Sequence, residues 1–135
     1  LTGHNRSLFP ELAETEVFDL FHIRYNPAHR GAEDETFPHL QGETRPGIVT
    51  YTATRWGRLL DPGKMPPGEL PPSASDCYRF VLSNPAVDIC LCGPKDAEQM
   101  REALRTLELG PLDESELMRM EKIVKHVHSK TIKIF

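Results

Sequence analysis

The chain has 135 residues, 39% hydrophobic and 27% charged, the balance of an ordinary globular domain and not of a disordered, collagen-like or membrane chain. No apolar run approaches the ~20 residues of a membrane helix, and no basic stretch runs into an apolar one as in a secretory signal, so the expected compartment is cytoplasmic. The net charge of −4 arises from interspersed signs with no stripe of Lys and Arg, which argues against nucleic acid as a partner.

Leu1-Thr2-Gly3 reads as the tail of a strand, which suggests a piece of a longer chain. Ser7 opens a run in which Leu8, Phe9 and Leu12 share a helical face, ending near Glu14, with Pro10 in the first turn where its missing N–H costs little. Val17 to Ile23 is nearly continuous in apolar β-formers, which predicts a strand buried on both faces. Asn26 to Gln41, rich in Pro, Gly and charge, predicts a long loop with one turn of helix near residues 32–36. Gly47 to Ala53 predicts a third strand, followed by Trp56-Gly57 and a proline-rich stretch from Asp61 to Pro72.

Ser73 or Ser75 can cap a helix through Tyr78, Phe80, Val81 and Leu82, stopped by Asn84-Pro85. Val87 to Cys92 is a fourth predicted strand, broken by Gly93-Pro94. Cys90 and Cys92, two apart on an extended backbone, share a face but lack disulfide geometry, and all three cysteines are expected to be reduced core thiols. Asp96 to Gln99 has the side chains of a capping box ahead of Met100, Leu104 and Leu107, and Gly110 ends that helix. Asp113 to Glu116 repeats the capping pattern before the stripe Leu117, Met120, Val124 and Val127. Residues 131–135 are strand-like in composition and form an unassigned tail after a domain spanning residues 1–130.

This alternation predicts a parallel α/β fold. Four strands at roughly 30 residues per unit fill about half of the ~250 residues of a complete (β/α)8 TIM barrel. In such barrels the site lies at the carboxyl ends of the strands, here Thr2 to Asn5, Tyr25-Asn26, Thr54 to Trp56 and Gly93 to Asp96.

Four motifs, in this order and spacing, resemble the aldo/keto reductase family: Leu1 to Arg6 (LTGHNR), His22 to Glu33 (HIRYNPAHRGAE), Gly47 to Leu60 (GIVTYTATRWGRLL) and Tyr78 to Glu102 (YRFVLSNPAVDICLCGPKDAEQMRE). The resemblance implies a partial barrel comprising its fifth to eighth strands, and a nicotinamide nucleotide as cofactor, with NADP(H) ahead of NAD(H). It implies an oxidoreductase that interconverts carbonyls and alcohols by hydride transfer, with a small carbonyl substrate in the full-length parent. The family's catalytic tetrad of Asp, Tyr, Lys and His belongs to the first half, so no catalytic residue is assigned here and the piece alone is expected to be inactive.

Carried over position by position, the resemblance puts Thr2, Gly3 and His22 near the nicotinamide carboxamide. Thr2 keeps a hydroxyl where the family has Ser, while Gly3 stands in for Asn and His22 for Gln. For His22 the rival role is a satisfied core group, and for Thr2 a small residue at a crowded strand end. Ala53 and Thr54 fall where many relatives carry a Tyr that stacks on the nicotinamide, so that stacking is absent or supplied by Trp56, whose rival role is plain packing. Arg55 suits a pyrophosphate by charge and shape. Gly93, Pro94 and Lys95 sit at a helix start that favours anions. Gln99 and Glu102 fall around the adenosine end, and Gln99 replaces a frequent Arg, which leaves NADP against NAD preference open.

His4, Tyr25 and Asn26 are candidates for lining the substrate mouth. Cys90 and Cys92 with His126 and His128 fit no closed zinc site, and no metal is expected. The alternative function is non-catalytic: a half-barrel that associates through its open sheet edges.

Overall fold

The computed structural model describes the backbone of residues 1–131. Five α-helices alternate with four strands: β1 (Thr2–Gly3), α1 (Leu8–Ala13), β2 (Leu20–Arg24), α2 (Ala32–Glu35), β3 (Gly47–Tyr51), α3 (Ala74–Leu82), β4 (Ile89–Cys90), α4 (Ala97–Leu109) and α5 (Glu114–Thr131). The strands form one parallel sheet in the order β1-β2-β3-β4. All four carboxyl ends therefore lie along one edge, as the sequence alternation implies.

The register assigns the faces. Thr2 pairs with His22, His22 with Val49 and Val49 with Ile89, while Arg24 pairs with Tyr51. Partners at one register position in a parallel sheet share a face, so these side chains form one surface. Phe21, Ile23 and Tyr25 alternate onto the other surface, where the core lies with Phe9, Ile48, Leu59, Val81 and Ile123. Phe21 packs edge-on against Phe9 at 5.0 Å, and Tyr25 edge-on against Phe37 at 5.2 Å.

This corrects the expectation that β2 is buried on both faces. Phe21 and Ile23 are buried, His22 and Arg24 are half-buried and Leu20 is exposed. The near-continuous apolarity of the segment hides that asymmetry, because only the face carrying Phe21 and Ile23 is packed into the core described here. The fourth strand is shorter than the apolar run suggests, since Asp88 turns its side chain back into the sheet. Its Oδ2 accepts from the Ile48 N–H at 2.7 Å and its carboxylate takes two bonds from the Arg45 guanidinium, which hold it below the usual carboxylate range.

Local chemistry sets the helix ends. Ser73 caps α3 in a full capping box with Asp76. Asp96 caps α4 by accepting from the Gln99 N–H, but the Gln99 amide reaches the Lys95 N–H, one residue further out than a capping box requires. Gly110 ends α4 at φ 68°, a left-handed conformation that Gly adopts without strain. Thr131, grouped with the tail by composition, closes α5; residues 132–135 of that tail lie outside the described residues.

The cysteines are free, as expected from their spacing, but only Cys77 is buried. Cys90 is partly covered and Cys92 is exposed just beyond β4. Burial pushes the Cys77 thiol up to about 12 and the Cys90 thiol to about 11, so both are held as neutral packing groups.

Candidate functional site

Loops after β3 and β4 and the start of α3 enclose a cavity of about 470 Å³, lined by Thr54, Trp56, Leu60, Tyr78, Gly93, Pro94, Gln99 and Glu102 among others. Six of the residues singled out in the sequence therefore converge on one space, although up to 48 positions separate them. A larger open depression of about 860 Å³ follows the flank of α4, lined by Lys95, Glu98, Arg101, Arg105 and Glu108 with others of the same stretch. That one is a solvated helix surface, since no second element walls it.

The first wall is the segment after β3, which adopts an unusual backbone. Thr52, Arg55 and Trp56 have φ of 62°, 53° and 54°, followed by Gly57 at 77°. For non-glycine residues the left-handed region costs on the order of 1 kcal/mol or more each, and such strain persists only where the surroundings enforce it. Here Thr52 O accepts from both the Arg55 N–H (2.8 Å) and the Asn26 Nδ2 (2.9 Å), the Gly57 N–H donates to Thr54 Oγ1 (3.2 Å), and Leu59 is fully buried beneath. The outcome is Trp56 held 67% exposed at the cavity rim, with little packing against the described residues.

The second wall is built on Glu102. Its Oε1 accepts from Ser75 Oγ at 2.7 Å and from the Ser75 N–H at 3.4 Å, and its Oε2 takes a bond from Arg105 at 3.2 Å. A chain of donors runs from the Asp76 N–H through Ser73 Oγ and Ser75 Oγ to this carboxylate. The Ser75 hydroxyl, ahead of the other contacts, lowers the Glu102 carboxyl and keeps it an acceptor near neutrality. Glu102 is therefore not a freely solvated helix charge. Ser73 and Tyr78 also line the space; the sequence marks Ser73 only as a cap of α3 and Tyr78 only as a member of it, and neither signal distinguishes lining from packing.

With Trp56, Leu60, Tyr78 and Pro94 as apolar surface and Glu102 as a fixed acceptor, the cavity suits a flat heteroaromatic group carrying N–H or O–H donors.

The remaining candidates lie elsewhere. Thr2 and His22 are register partners on the open face of the sheet, as a shared contact would require. Gly3 faces the other way: a Cβ there would meet Phe9 Cζ at 3.8 Å. His4 is exposed, with its Nδ1 3.4 Å from the Tyr51 hydroxyl, which itself reaches Gly3 O at 3.5 Å. Lys95 is exposed and lines the flank of α4, not the cavity. Arg55 is buried within the strained loop and does not line the cavity either.

Tyr25 and Asn26 do not line the mouth. Tyr25 points into the helical layer between Phe37 and Phe80, donating to Glu33 Oε1 at 2.5 Å and accepting from Asn84 Nδ2 at 3.3 Å. Asn26 is fully buried, its Oδ1 accepting from the Ala28 N–H (3.0 Å) and facing His29 Nδ1 (3.2 Å). The period of two carries Tyr25 to the same face as Ile23, and Asn26 is drawn in by the backbone groups it satisfies.

No family model matches this chain, and no curated protein matches it significantly.

Proposed function

We propose that this chain is the nucleotide-binding half of an NAD(P)(H)-dependent oxidoreductase of aldo/keto reductase type. It would form four of the eight strands of a TIM barrel and hold the cofactor while the proton-donating tetrad is supplied from the other half. The observation that carries this is the convergence of Thr54, Trp56, Gly93, Pro94, Gln99 and Glu102 on one cavity.

In this reading the adenine ring rests against Trp56, Tyr78 and Pro94, and its amino group or a ribose hydroxyl donates to Glu102. The strained loop also favours it, since backbone held in costly conformations to display one aromatic ring is characteristic of binding sites. Thr2 and His22, side by side on the open face, then face the nicotinamide end. With NADP(H) ahead of NAD(H), the parent reduces a small carbonyl compound by hydride transfer, and the 135-residue piece alone does not turn over.

Trp56 is the chain's one tryptophan, so its emission reports directly on the cavity. Titration with NADPH should give saturable quenching, and Glu102→Ala, followed by calorimetry, should weaken binding roughly tenfold, the value of one hydrogen bond to a charged group. Absence of saturable quenching at millimolar NADPH, with the chain shown to be folded, would refute the assignment.

A second reading is that the half-barrel serves as an assembly element joined to a second copy. It is favoured by the exposed α4 residues Met100, Leu104, Leu107 and Leu109, and by exposed Ile89 and Leu91 in and just after β4. Concentration-dependent sedimentation abolished by Leu104→Lys with Leu107→Lys, in a chain that does not bind NADPH, would select this alternative.

A further inference from the structure

Ser75 is fully buried and stands outside the residues that line the cavity, yet both of its donors leave α3 for another helix. Its Oγ donates to Glu102 Oε1 at 2.7 Å, and its N–H reaches the same oxygen at 3.4 Å. That N–H belongs to the first turn of α3, where no carbonyl within the helix can accept from it. Behind it, Ser73 Oγ lies 2.9 Å from Ser75 Oγ and accepts from the Asp76 N–H at 3.1 Å. Glu102 is thus the outer member of the α3 cap, contributed from α4. If its carboxylate turned away, two donors on a residue closed to water would be stranded, and that penalty holds Oε1 in place.

The pinning of Oε1 leaves Oε2 as the oxygen open to a ligand. Its other bond comes from Arg105, whose side chain is 55% exposed, so the contact is solvated and readily shared. An ionised carboxylate can only accept, and each serine hydroxyl carries a single proton. Since Ser75 spends its proton on Glu102, it has none left for a ligand.

Resting on the nucleotide reading above, we infer that Ser75 is a positioning residue: by pinning one oxygen of Glu102 it turns the other out as an acceptor of fixed place, which selects a ring bearing an amino group over its oxo counterpart. Ser75 acts only through Glu102, and the polarity of this wall is settled at the start of α3.

The probes are NADPH and its hypoxanthine counterpart, in which a carbonyl oxygen replaces the amino group, each titrated calorimetrically into the whole chain. The wild type should bind NADPH roughly tenfold more tightly, since the oxo ring loses a bond to a charged group. Ser75→Ala, shown to be folded by circular dichroism, should bring the two affinities within about twofold of each other. A merely structural role would weaken both ligands alike and leave their ratio unchanged. Glu102→Gln should reverse the preference: the Ser75 N–H can only donate, so the amide oxygen is held inward and the NH2 faces the ligand. Adding Ser75→Ala to Glu102→Gln should abolish that reversal, because a freed amide can offer either end. Should Ser75→Ala not fold, the reversal in Glu102→Gln still decides. A wild-type chain that binds both nucleotides equally, a ratio unchanged in Ser75→Ala, or a Glu102→Gln variant that still prefers NADPH would overturn the role of Ser75 and leave the nucleotide reading standing. A folded wild type that binds neither nucleotide ends both.

Discussion

Replacing Arg79 by methionine tests how the last helix is joined to the rest of the fold. Its guanidinium bridges the start of α5, through Glu116, to α3, through Asp76, and also holds the α4–α5 connection by Gly110 O and Pro111 O. Removing one partner of a buried ion pair costs about 3–5 kcal/mol where the group left behind stays buried. Here the carboxylates left behind can reach water, with Asp76 and Glu116 side chains 23% and 37% exposed, so the penalty is discounted. The two carbonyls lose charge-assisted bonds worth about 1.5–3 kcal/mol each before solvent compensation. Methionine keeps the buried stem's packing, so the net expectation is a loss of about 2–3 kcal/mol.

Urea unfolding followed by far-ultraviolet circular dichroism measures this loss, and an unchanged m-value would show that α5 remains docked in the native state. Arg79→Lys should recover only a small part, since one ammonium cannot reach both carboxylates and both carbonyls together. A loss under about 0.5 kcal/mol, the scatter of ordinary surface substitutions, would refute this account of how α5 is held.

Tyr25→Phe should lower stability by about 1–2 kcal/mol, because the Glu33 carboxylate and the Asn84 amide lose a shared partner while the ring contacts with Phe37 and Phe80 survive. The change in thermal midpoint measures it, and an unchanged midpoint would count against Tyr25 as a hydrogen-bonded core group. Burial raises the Tyr25 phenol well above its ordinary value, so its contribution is complete below pH 10 and is lost only in stronger base. His29 behaves in the opposite sense. Its folded value of about 4 lies below the ordinary 6.5, so the unfolded chain binds the extra proton and stability should decline as pH falls from about 6.5 to 4. His29→Gln should flatten that part of the pH profile, and an unchanged slope would rule out His29 as its source.

Much of this protein is set by local chemistry and can be read directly from the chain. The capping serine before α3, the aspartate before α4 and the glycine after it act within a few residues, so the helix positions follow from them. The alternation of strand and helix fixes a parallel sheet, and with it the edge at which the loops gather. The strand ends Thr54, Trp56 and Gly93 follow from that edge, whereas Gln99 and Glu102, inside α4, are marked only by the family resemblance; all five line one cavity.

What the tertiary structure decided is direction and partnership. Tyr25 and Asn26 follow a strand end and resemble mouth residues in sequence, yet the pleat sends one into the helical layer and unsatisfied backbone groups draw in the other. Arg55 and Arg79 are the same residue in one dimension. One meets two carboxylates contributed by other positions, and the other pairs with no carboxylate among the described residues, because charge pairing is settled by distances in space. Short-range rules act along the chain and are written in it; a side chain's counter-ion is chosen by the fold.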